Sequence, residues 1–158
     1  MCGPAEDRGS ATCVWLIIVL PSAFFFSVGA PVLWESNGPA FPLAVAYLFT
    51  ITALLLALTS FTDPGVIPRT GAPDPPSDQR VRLVTLPDGR QVEVRWCATC
   101  KVWKPPRASH CPSCDNCVLA FDHHCPFVGN CVGLRNYGYF CGFLLAARRD
   151  TAEIQPRY

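Results

Sequence analysis

The chain has 158 residues, of which half are hydrophobic, and its formal net charge at pH 7 is +1. This length leaves room for one modest domain or for a small module with membrane anchors, and the near-zero charge gives no support for a nucleic-acid partner. Residues 1–62 hold few charges, whereas residues 63–136 are polar and rich in proline and cysteine. This uneven distribution favours a membrane-anchored protein with one polar module over a single mixed core.

Two long uncharged segments predict a pair of transmembrane helices. Residues 14–34 form the first and residues 41–61 the second, and about 20 apolar residues suffice to cross a hydrocarbon core about 30 Å thick. The short link between them suits a helical hairpin. A cleavable signal peptide is the alternative for the first segment, but its length and aromatic content disfavour that interpretation. A buried hairpin of a soluble protein is disfavoured because neither segment has a polar face.

The distribution of basic residues predicts the orientation of this hairpin. Of the thirteen Lys and Arg residues, only Arg8 precedes the end of the second segment. Basic residues collect on the cytosolic side of membrane proteins, so we expect residues 1–13 and the chain after residue 62 to be cytosolic. A cytosolic cysteine cluster is a reduced one, which favours metal binding over disulfide formation.

The segments that follow predict a linker, a hairpin and a short apolar stretch. Residues 62–80 begin with Asp-Pro-Gly and are dense in proline, which predicts an extended, exposed linker. Residues 81–86 and 91–96 alternate in polarity around an Asp-Gly turn and predict a β-hairpin, which must dock on the next module because a lone hairpin is marginal in water. The apolar stretch that opens residues 137–158 is too short to span a membrane and predicts an incomplete third helix or an interfacial one.

The densest chemical signal is a cluster of cysteine and histidine. Eight of the ten cysteines and all three histidines lie between residues 97 and 141, and imidazoles have no place in a disulfide framework. Pairs with Cys-x-x-Cys spacing predict tetrahedral zinc sites. Two closed Cys₃His sites use eight of the ten residues with potential ligand atoms between 97 and 131, leaving one cysteine and one histidine as a candidate nucleophile and base. Counting alone leaves open which pair is spare, and Cys125 and His123 could equally be a redundant ligand and a surface residue.

The spacing of these residues resembles that of one enzyme family. Asp122, His123, His124 and Cys125 spell a DHHC signature inside a long cysteine-rich pattern, and Asp-Pro-Gly follows the second apolar segment at residues 63–65. Over residues 14–145 the chain is similar to the DHHC-type protein S-palmitoyltransferases. The expected fold class is therefore an α-helical membrane protein with two full transmembrane helices, an incomplete third, and a cytosolic zinc-bound β-hairpin and cysteine-rich module over residues 81–136.

The resemblance implies a role for each residue of the cluster. One structural zinc ion is expected on Cys97, Cys100, His110 and Cys117, and a second on Cys111, Cys114, His124 and Cys131. Cys125 would be the nucleophile, His123 its base and Asp122 the carboxylate that orients the base. Lys104 and Arg107 stand where the family contacts the phosphates of CoA, with ordinary solvated charges as the alternative.

The implied reaction is two-step acyl transfer. Cys125 would take a long-chain acyl group from an acyl-CoA such as palmitoyl-CoA and pass it to cysteines of membrane-associated proteins that face the cytosol. The expected partners are these substrates, the lipid bilayer and an accessory subunit, with no nucleic acid. The resemblance places such a protein in the Golgi, the endoplasmic reticulum or the plasma membrane.

The length of the sequence departs from this family. Members usually have four transmembrane helices, whereas this sequence ends before a full third helix, so we interpret it as a C-terminally truncated member. Two hypotheses follow: an S-acyltransferase, or a non-catalytic membrane-anchored zinc protein of the same family that acts in partner binding or regulation.

Overall fold

The computed structural model describes residues 5–152, with side chains described for residue 7 and residues 9–147. The first long helical segment consists of α1 (Ala5–Phe24), a π-helical turn (Phe25–Gly29) and α2 (Ala30–Asn37). The helix begins nine residues before the apolar segment that predicted it, because helical backbone continues through polar residues that a hydropathy pattern does not register. Residues 1–4, which include Cys2, and residues 153–158 lie outside the described part.

The π-helical turn lies immediately before a proline. The N–H of Ala30 donates to the carbonyl of Phe25, five residues earlier, and Pro31 follows with no N–H to donate. A proline inside a helix removes one backbone hydrogen bond and clashes with the preceding turn, so the backbone widens there.

The second long helix, α3 (Ala40–Phe61), returns beside the first. The rings of Phe26 and Phe49 meet edge to face with their centroids 5.9 Å apart. Gly38 makes the turn between the helices with a φ of 81°, a conformation that glycine adopts without steric cost. Both long helices are apolar enough to cross a membrane by length and composition, and these two helices followed by a cysteine–histidine module agree with the expected fold class.

The module consists of seven short strands in three antiparallel sheets. The first sheet has the order β1-β2-β3, the second pairs β4 with β5, and the third pairs β6 with β7. The strand bounds are β1 Val81–Thr85, β2 Gln91–Cys97, β3 Val102–Lys104, β4 Ser109–Cys111, β5 Asn116–Val118, β6 His123–Cys125 and β7 Asn130–Val132. A last helix, α4 (Tyr137–Ala152), follows and packs against α3, where Gly142 lies on the side chain of Leu55.

The linker after α3 is not fully exposed, contrary to the expectation from its proline content. Pro64 and Gly65 are buried, and Val66 forms an antiparallel bridge with Val118 of β5. The N–H of Ile67 donates to the carbonyl of Cys117 at 2.8 Å. Proline density marks a segment that cannot form regular structure by itself, but here a few of its backbone groups find partners in the module.

Asp63 holds the junction between α3 and this linker. One of its carboxylate oxygens accepts from the N–H groups of Gly65 and Val66, both at 2.9 Å, and the other pairs with Arg135. Burial raises the pKa of Asp63, but the two backbone hydrogen bonds and the guanidinium outweigh it and lower the pKa below the usual aspartate value. The Asp-Pro-Gly sequence thus redirects the chain from the helix onto the module.

Candidate active site and metal centres

Two groups of cysteine and histidine side chains converge within the described part of the chain. In each group the ligand atoms lie within 4.8 Å of one another. The first group is Cys97, Cys100, His110 and Cys117, and the second is Cys111, Cys114, His124 and Cys131. These are the two sets that the family resemblance implied, and their role as metal ligands stays a prediction.

The geometry of both groups fits a tetrahedral zinc ion. With Zn–S of about 2.3 Å and Zn–N of about 2.0 Å, a sulfur and a nitrogen on the same ion stand about 3.5 Å apart. The Nδ1 atom of His110 lies 3.3 Å from the sulfur of Cys100 and 3.7 Å from that of Cys97. The Nδ1 atom of His124 lies 3.3 Å from the sulfur of Cys114 and 3.6 Å from that of Cys131. Both groups can therefore hold a metal ion, the second once Cys114, which the structure records in a disulfide bond, is reduced to a thiolate.

Burial raises the pKa of one thiol in each group. Burial, followed by the neighbouring thiols, raises the pKa of Cys117 far above the usual cysteine value. Burial and the adjacent Cys111 raise the pKa of Cys131 in the same way. Packed thiols with such pKa values stay protonated unless a bound cation replaces the protons.

The alternation of side chains along the short strands assigns neighbouring residues to different groups. His110 lies directly opposite Cys117 in the β4–β5 pair, and both belong to the first group. Cys111 is the next residue along β4, so its side chain points to the other face of the sheet, where it joins the second group. The two cysteine–histidine groups interleave because consecutive residues of a strand face opposite ways.

The same alternation divides the signature tetrapeptide. His124 lies opposite Cys131 in the β6–β7 pair, and both belong to the second metal group. His123 and Cys125 flank His124 and therefore share the other face of the hairpin. We call the β6–β7 pair the signature hairpin; it presents His124 and Cys131 on one face and His123 and Cys125 on the other.

The imidazole of His123 contacts two neighbouring side chains. Its Nδ1 atom lies 2.7 Å from a carboxylate oxygen of Asp122, and its ring meets Phe140 of α4 edge to face at 5.2 Å between centroids. With Nδ1–H donating to the carboxylate, Nε2 is left with a lone pair that can accept a proton. The pair has the arrangement of a base and its orienting carboxylate.

Cys125 lies where the module meets the helices. Its side chain is a free thiol that is 8% exposed and packs in a cluster with Leu56 of α3, Val128 and Val132. Partly buried residues of α1 and α4 complete this cluster, namely Val14, Trp15, Ile18, Phe140 and Phe143. The thiol therefore lies in an apolar cluster to which α1, α3 and α4 all contribute.

Two buried asparagines fasten the signature hairpin to the end of α3, a role that the sequence did not reveal. The Nδ2 of Asn130, the residue opposite Cys125, donates to the carbonyls of Ser60 at 3.1 Å and Thr62 at 2.9 Å. The Nδ2 of Asn136 donates to the carbonyl of Thr59 at 3.0 Å. The last carbonyls of a helix have no partner within the helix, so these amides serve as its C-terminal cap.

A cavity of about 690 Å³ runs between α1, α3 and α4. Ile18 and Phe143 line it and also pack in the Cys125 cluster, so the cavity adjoins that cluster. Its lining on α3 extends from Thr52 to Phe41, about 16 Å at 1.5 Å per residue. This volume lies within the usual range of ligand sites, about 300–1,000 Å³, and the length is comparable to one leaflet of a hydrocarbon core about 30 Å thick.

The two basic residues expected to contact CoA lie in different surroundings. Lys104 ends β3 directly opposite Arg95, which places two like charges side by side. Arg107 is exposed, has a φ of 64° and accepts the N–H of Phe121 at its carbonyl. That hydrogen bond places Arg107 beside the segment that leads into Asp122.

Comparison with known proteins gives one consistent family. The family described as DHHC palmitoyltransferase matches residues 90–148. The chain is 43% identical to "Palmitoyltransferase erf2" of Aspergillus fumigatus over 90% of its own length and 26% of the relative. It is 42% identical to human "Palmitoyltransferase ZDHHC18" over 95% of its own length and 42% of that protein. For bovine "Palmitoyltransferase ZDHHC5" the identity is 44%, over 88% of this chain and 20% of the relative. The chain thus spans between a fifth and about two fifths of the length of these relatives.

Proposed function

Because the chain belongs to the DHHC palmitoyltransferase family, we propose that it acts as a protein-cysteine S-acyltransferase in which Cys125 carries the acyl group. The observation that carries this proposal is the position of Cys125. Its thiol shares a face of the signature hairpin with His123, and it packs in a cluster that adjoins the apolar cavity through Ile18 and Phe143.

The first step forms an acyl-enzyme. The Nε2 of His123 takes the proton of the Cys125 thiol, because the thiolate and not the thiol is the nucleophile. The thiolate attacks the thioester carbonyl of an acyl-CoA, the bond from that carbonyl to the CoA sulfur breaks, and the CoA thiolate receives the proton from the imidazolium. Asp122 keeps the imidazole in the required tautomer and stabilises its charged form.

The second step transfers the acyl group to a protein substrate. A substrate thiol gives its proton to His123 and attacks the thioester on Cys125, and the Cys125 sulfur leaves and recovers a proton. One thioester replaces another in each step, so the energy of bonding changes little. The task of the residues is therefore to position and deprotonate the thiols, and the kinetics should be ping-pong.

The cavity supports a long-chain acyl donor such as palmitoyl-CoA. Each methylene buried there contributes about 0.8 kcal/mol, so a long chain binds more tightly than a short one until the cavity is filled. Lys104 and Arg107 would bind the CoA phosphates from outside the apolar region. Alanine at both positions should raise KM for acyl-CoA and leave KM for an acyl-pantetheine thioester, which lacks the nucleotide phosphates, unchanged.

Zinc on the two cysteine–histidine groups would hold the module together. Bound metal supplies cross-links between strands that are too short to be stable alone. The purified chain should contain about two zinc ions, since each closed site takes four protein ligands.

The position of the helix ends supports the proposed orientation. Asp7 near the start of α1 contacts His124 of the module, and α3 ends on the same module through Asn130. The N-terminal end of the first helix and the C-terminal end of the second therefore lie on one side, which we propose to be the cytosolic face of a Golgi, endoplasmic reticulum or plasma membrane. The substrates would then be membrane-associated proteins with cytosolic cysteines, and an accessory subunit could dock on the same side.

The experiment that tests the function is acylation of the purified, detergent-solubilised chain with a clickable long-chain acyl-CoA. We expect hydroxylamine-sensitive label on the parent and none on Cys125→Ser. Cys13→Ser and Cys141→Ser are the matched controls, because both positions hold free thiols on the helices and should keep the label. Equal labelling of all variants would refute Cys125 as the acyl carrier. No labelling of a parent that holds two zinc ions would favour the non-catalytic zinc protein.

A further inference from the structure

A carboxylate from the start of the first helix reaches one of the metal-site histidines. The Nε2 of His124 lies 2.8 Å from an oxygen of Asp7, 117 residues away in sequence. Both side chains are largely buried, with exposures of 13% for His124 and 15% for Asp7. The other ring nitrogen of His124 faces the sulfurs of Cys114 and Cys131.

We propose that Asp7 is a positioning residue for the second metal site and ties the first helix to the hairpin that carries Cys125. The Nε2–H of His124 donates to the Asp7 carboxylate, which fixes the tautomer with the Nδ1 lone pair directed at the metal. A carboxylate behind a metal-bound histidine orients its ring and makes it a stronger ligand. A charge-assisted hydrogen bond of this kind is roughly twice as strong as one between neutral groups.

The first metal site provides an internal comparison. The Nε2 of His110 stands 3.7 Å from an oxygen of Asp115, which is too long for a hydrogen bond. The Asp115 side chain is 62% exposed and pairs with Arg69 at 2.6 Å. The two sites therefore have the same donor set, but among the side chains that the structure describes only His124 has a close and buried carboxylate partner.

The position of His124 gives this contact a consequence for the site. His124 stands between His123 and Cys125 on one short strand, and its partner Asp7 belongs to α1, whose side chains Val14, Trp15 and Ile18 pack in the Cys125 cluster. The Asp7–His124 contact thus ties one face of the signature hairpin to α1, and the Cys125 cluster packs the opposite face against the same helix. The inference concerns metal binding, so it stands or falls separately from acyl transfer.

Zinc release to a chromophoric chelator tests the proposal on the intact, zinc-loaded chain. Asp7→Ala should weaken zinc binding at one of the two sites by about 10- to 100-fold, the usual effect of removing such a partner. Asp7→Asn should have a smaller effect, since the amide oxygen still accepts from Nε2–H but carries no charge. Asp115→Asn is the matched control at the other site and should change neither release rate by more than about twofold, because its carboxylate makes no hydrogen bond to His110.

Nitrogen-15 histidine labelling provides a readout that a merely structural role would not move. The chain has three histidines, so the ring signals can be assigned by substitution. Asp7→Asn should shift the Nε2–H signal of His124 and leave those of His110 and His123 in place. Unchanged zinc release and an unchanged His124 signal in Asp7→Ala would overturn the proposal, and so would faster release from both sites accompanied by loss of helical circular dichroism.

Discussion

The buried amide of Asn136 connects three parts of the structure, and its removal should be costly. Its Nδ2 donates to the carbonyls of Thr59 at 3.0 Å and Cys131 at 2.8 Å, and its Oδ1 accepts the N–H of Gly133 at 2.9 Å. The side chain has no exposed surface, so water does not replace these partners. Asn136→Ala should therefore destabilise the contact between α3, the signature hairpin and the start of α4.

The loss of unfolding free energy in Asn136→Ala can be estimated from the backbone groups that lose a hydrogen-bond partner. The carbonyl of Thr59 also receives the amide of Asn130 at 3.3 Å and stays bonded. The carbonyl of Cys131 and the N–H of Gly133 lose the bonds described above, and each buried group left without a partner costs about 1–3 kcal/mol. The free energy of unfolding should fall by about 2–6 kcal/mol, which lowers Tm by about 5–20 °C in a chain of this size.

Thermal unfolding of the zinc-loaded chain in detergent, followed by tryptophan fluorescence, measures this change. Asn116→Ala is the matched control, because the Nδ2 of Asn116 makes a local hydrogen bond to the carbonyl of Cys114 and the residue is only half-buried. Its loss should cost no more than about 1 kcal/mol. If the two variants lower Tm equally, the reasoning from buried unpaired groups is wrong for this junction.

Three further predictions concern the base, a close contact and pH. Asp122→Asn should slow acylation of Cys125 by about 10²-fold or more, measured as the burst rate with clickable acyl-CoA, because the neighbouring imidazole loses the charge that stabilises its protonated form; a rate within twofold of the parent would contradict that role. Gly133→Ala should destabilise the chain by about 1–3 kcal/mol, because the new Cβ would stand 2.7 Å from the carbonyl oxygen of Pro64. Gly138→Ala is the control: nothing lies within 4 Å of its new Cβ, so Tm should stay unchanged or rise. The pKa of Asp63 is lowered in the folded state, so the stabilisation by its carboxylate is present above the unfolded pKa of about 3.9 and is lost as pH falls through the folded pKa. The Tm difference between parent and Asp63→Asn should therefore shrink below about pH 4, while any loss of metal affects both chains alike. A difference that stays constant with pH would count against this linkage.

Hydropathy was sufficient to predict the helices but not their limits. The uncharged segments at residues 14–34 and 41–61 lie within helical segments that the structure begins at Ala5 and Ala40 and ends at Asn37 and Phe61. An apolar pattern marks the part of a helix that avoids water, whereas helical backbone continues until a cap ends it. The start of the first helix therefore differs by nine residues, and the second by one.

Contacts between distant segments could not be predicted from local sequence. The proline-rich linker was expected to be exposed, yet Val66 pairs with Val118, because a single bridge depends on where the module lies and not on propensity. Asp7 was likewise one of two acidic residues near the start of the chain. Nothing in its neighbourhood indicates a histidine that lies more than a hundred residues away.

The division of the ten candidate ligands had a local signal that counting did not use. Ligand counting left open which cysteine and histidine are spare. Adjacent residues of a strand face opposite ways, so His124 cannot share a face with His123 and Cys125 if all three lie on one strand. Reading β6 as a strand would have separated His124 from His123 and Cys125 without reference to any family.

This two-faced hairpin accounts for how a candidate metal site and the proposed nucleophile fit into six strand residues. A hairpin with three-residue strands has too little surface to be stable alone, and a thiol on it would have no fixed position. Metal ligands on one face, among them His124 and Cys131, would supply the missing stability, since metal affinity in such modules is folding free energy. The opposite face is then free to hold Cys125 against the helices with Asn130 as its anchor. Loss of the second metal should consequently abolish acylation of Cys125 even though no metal ligand belongs to the reacting pair.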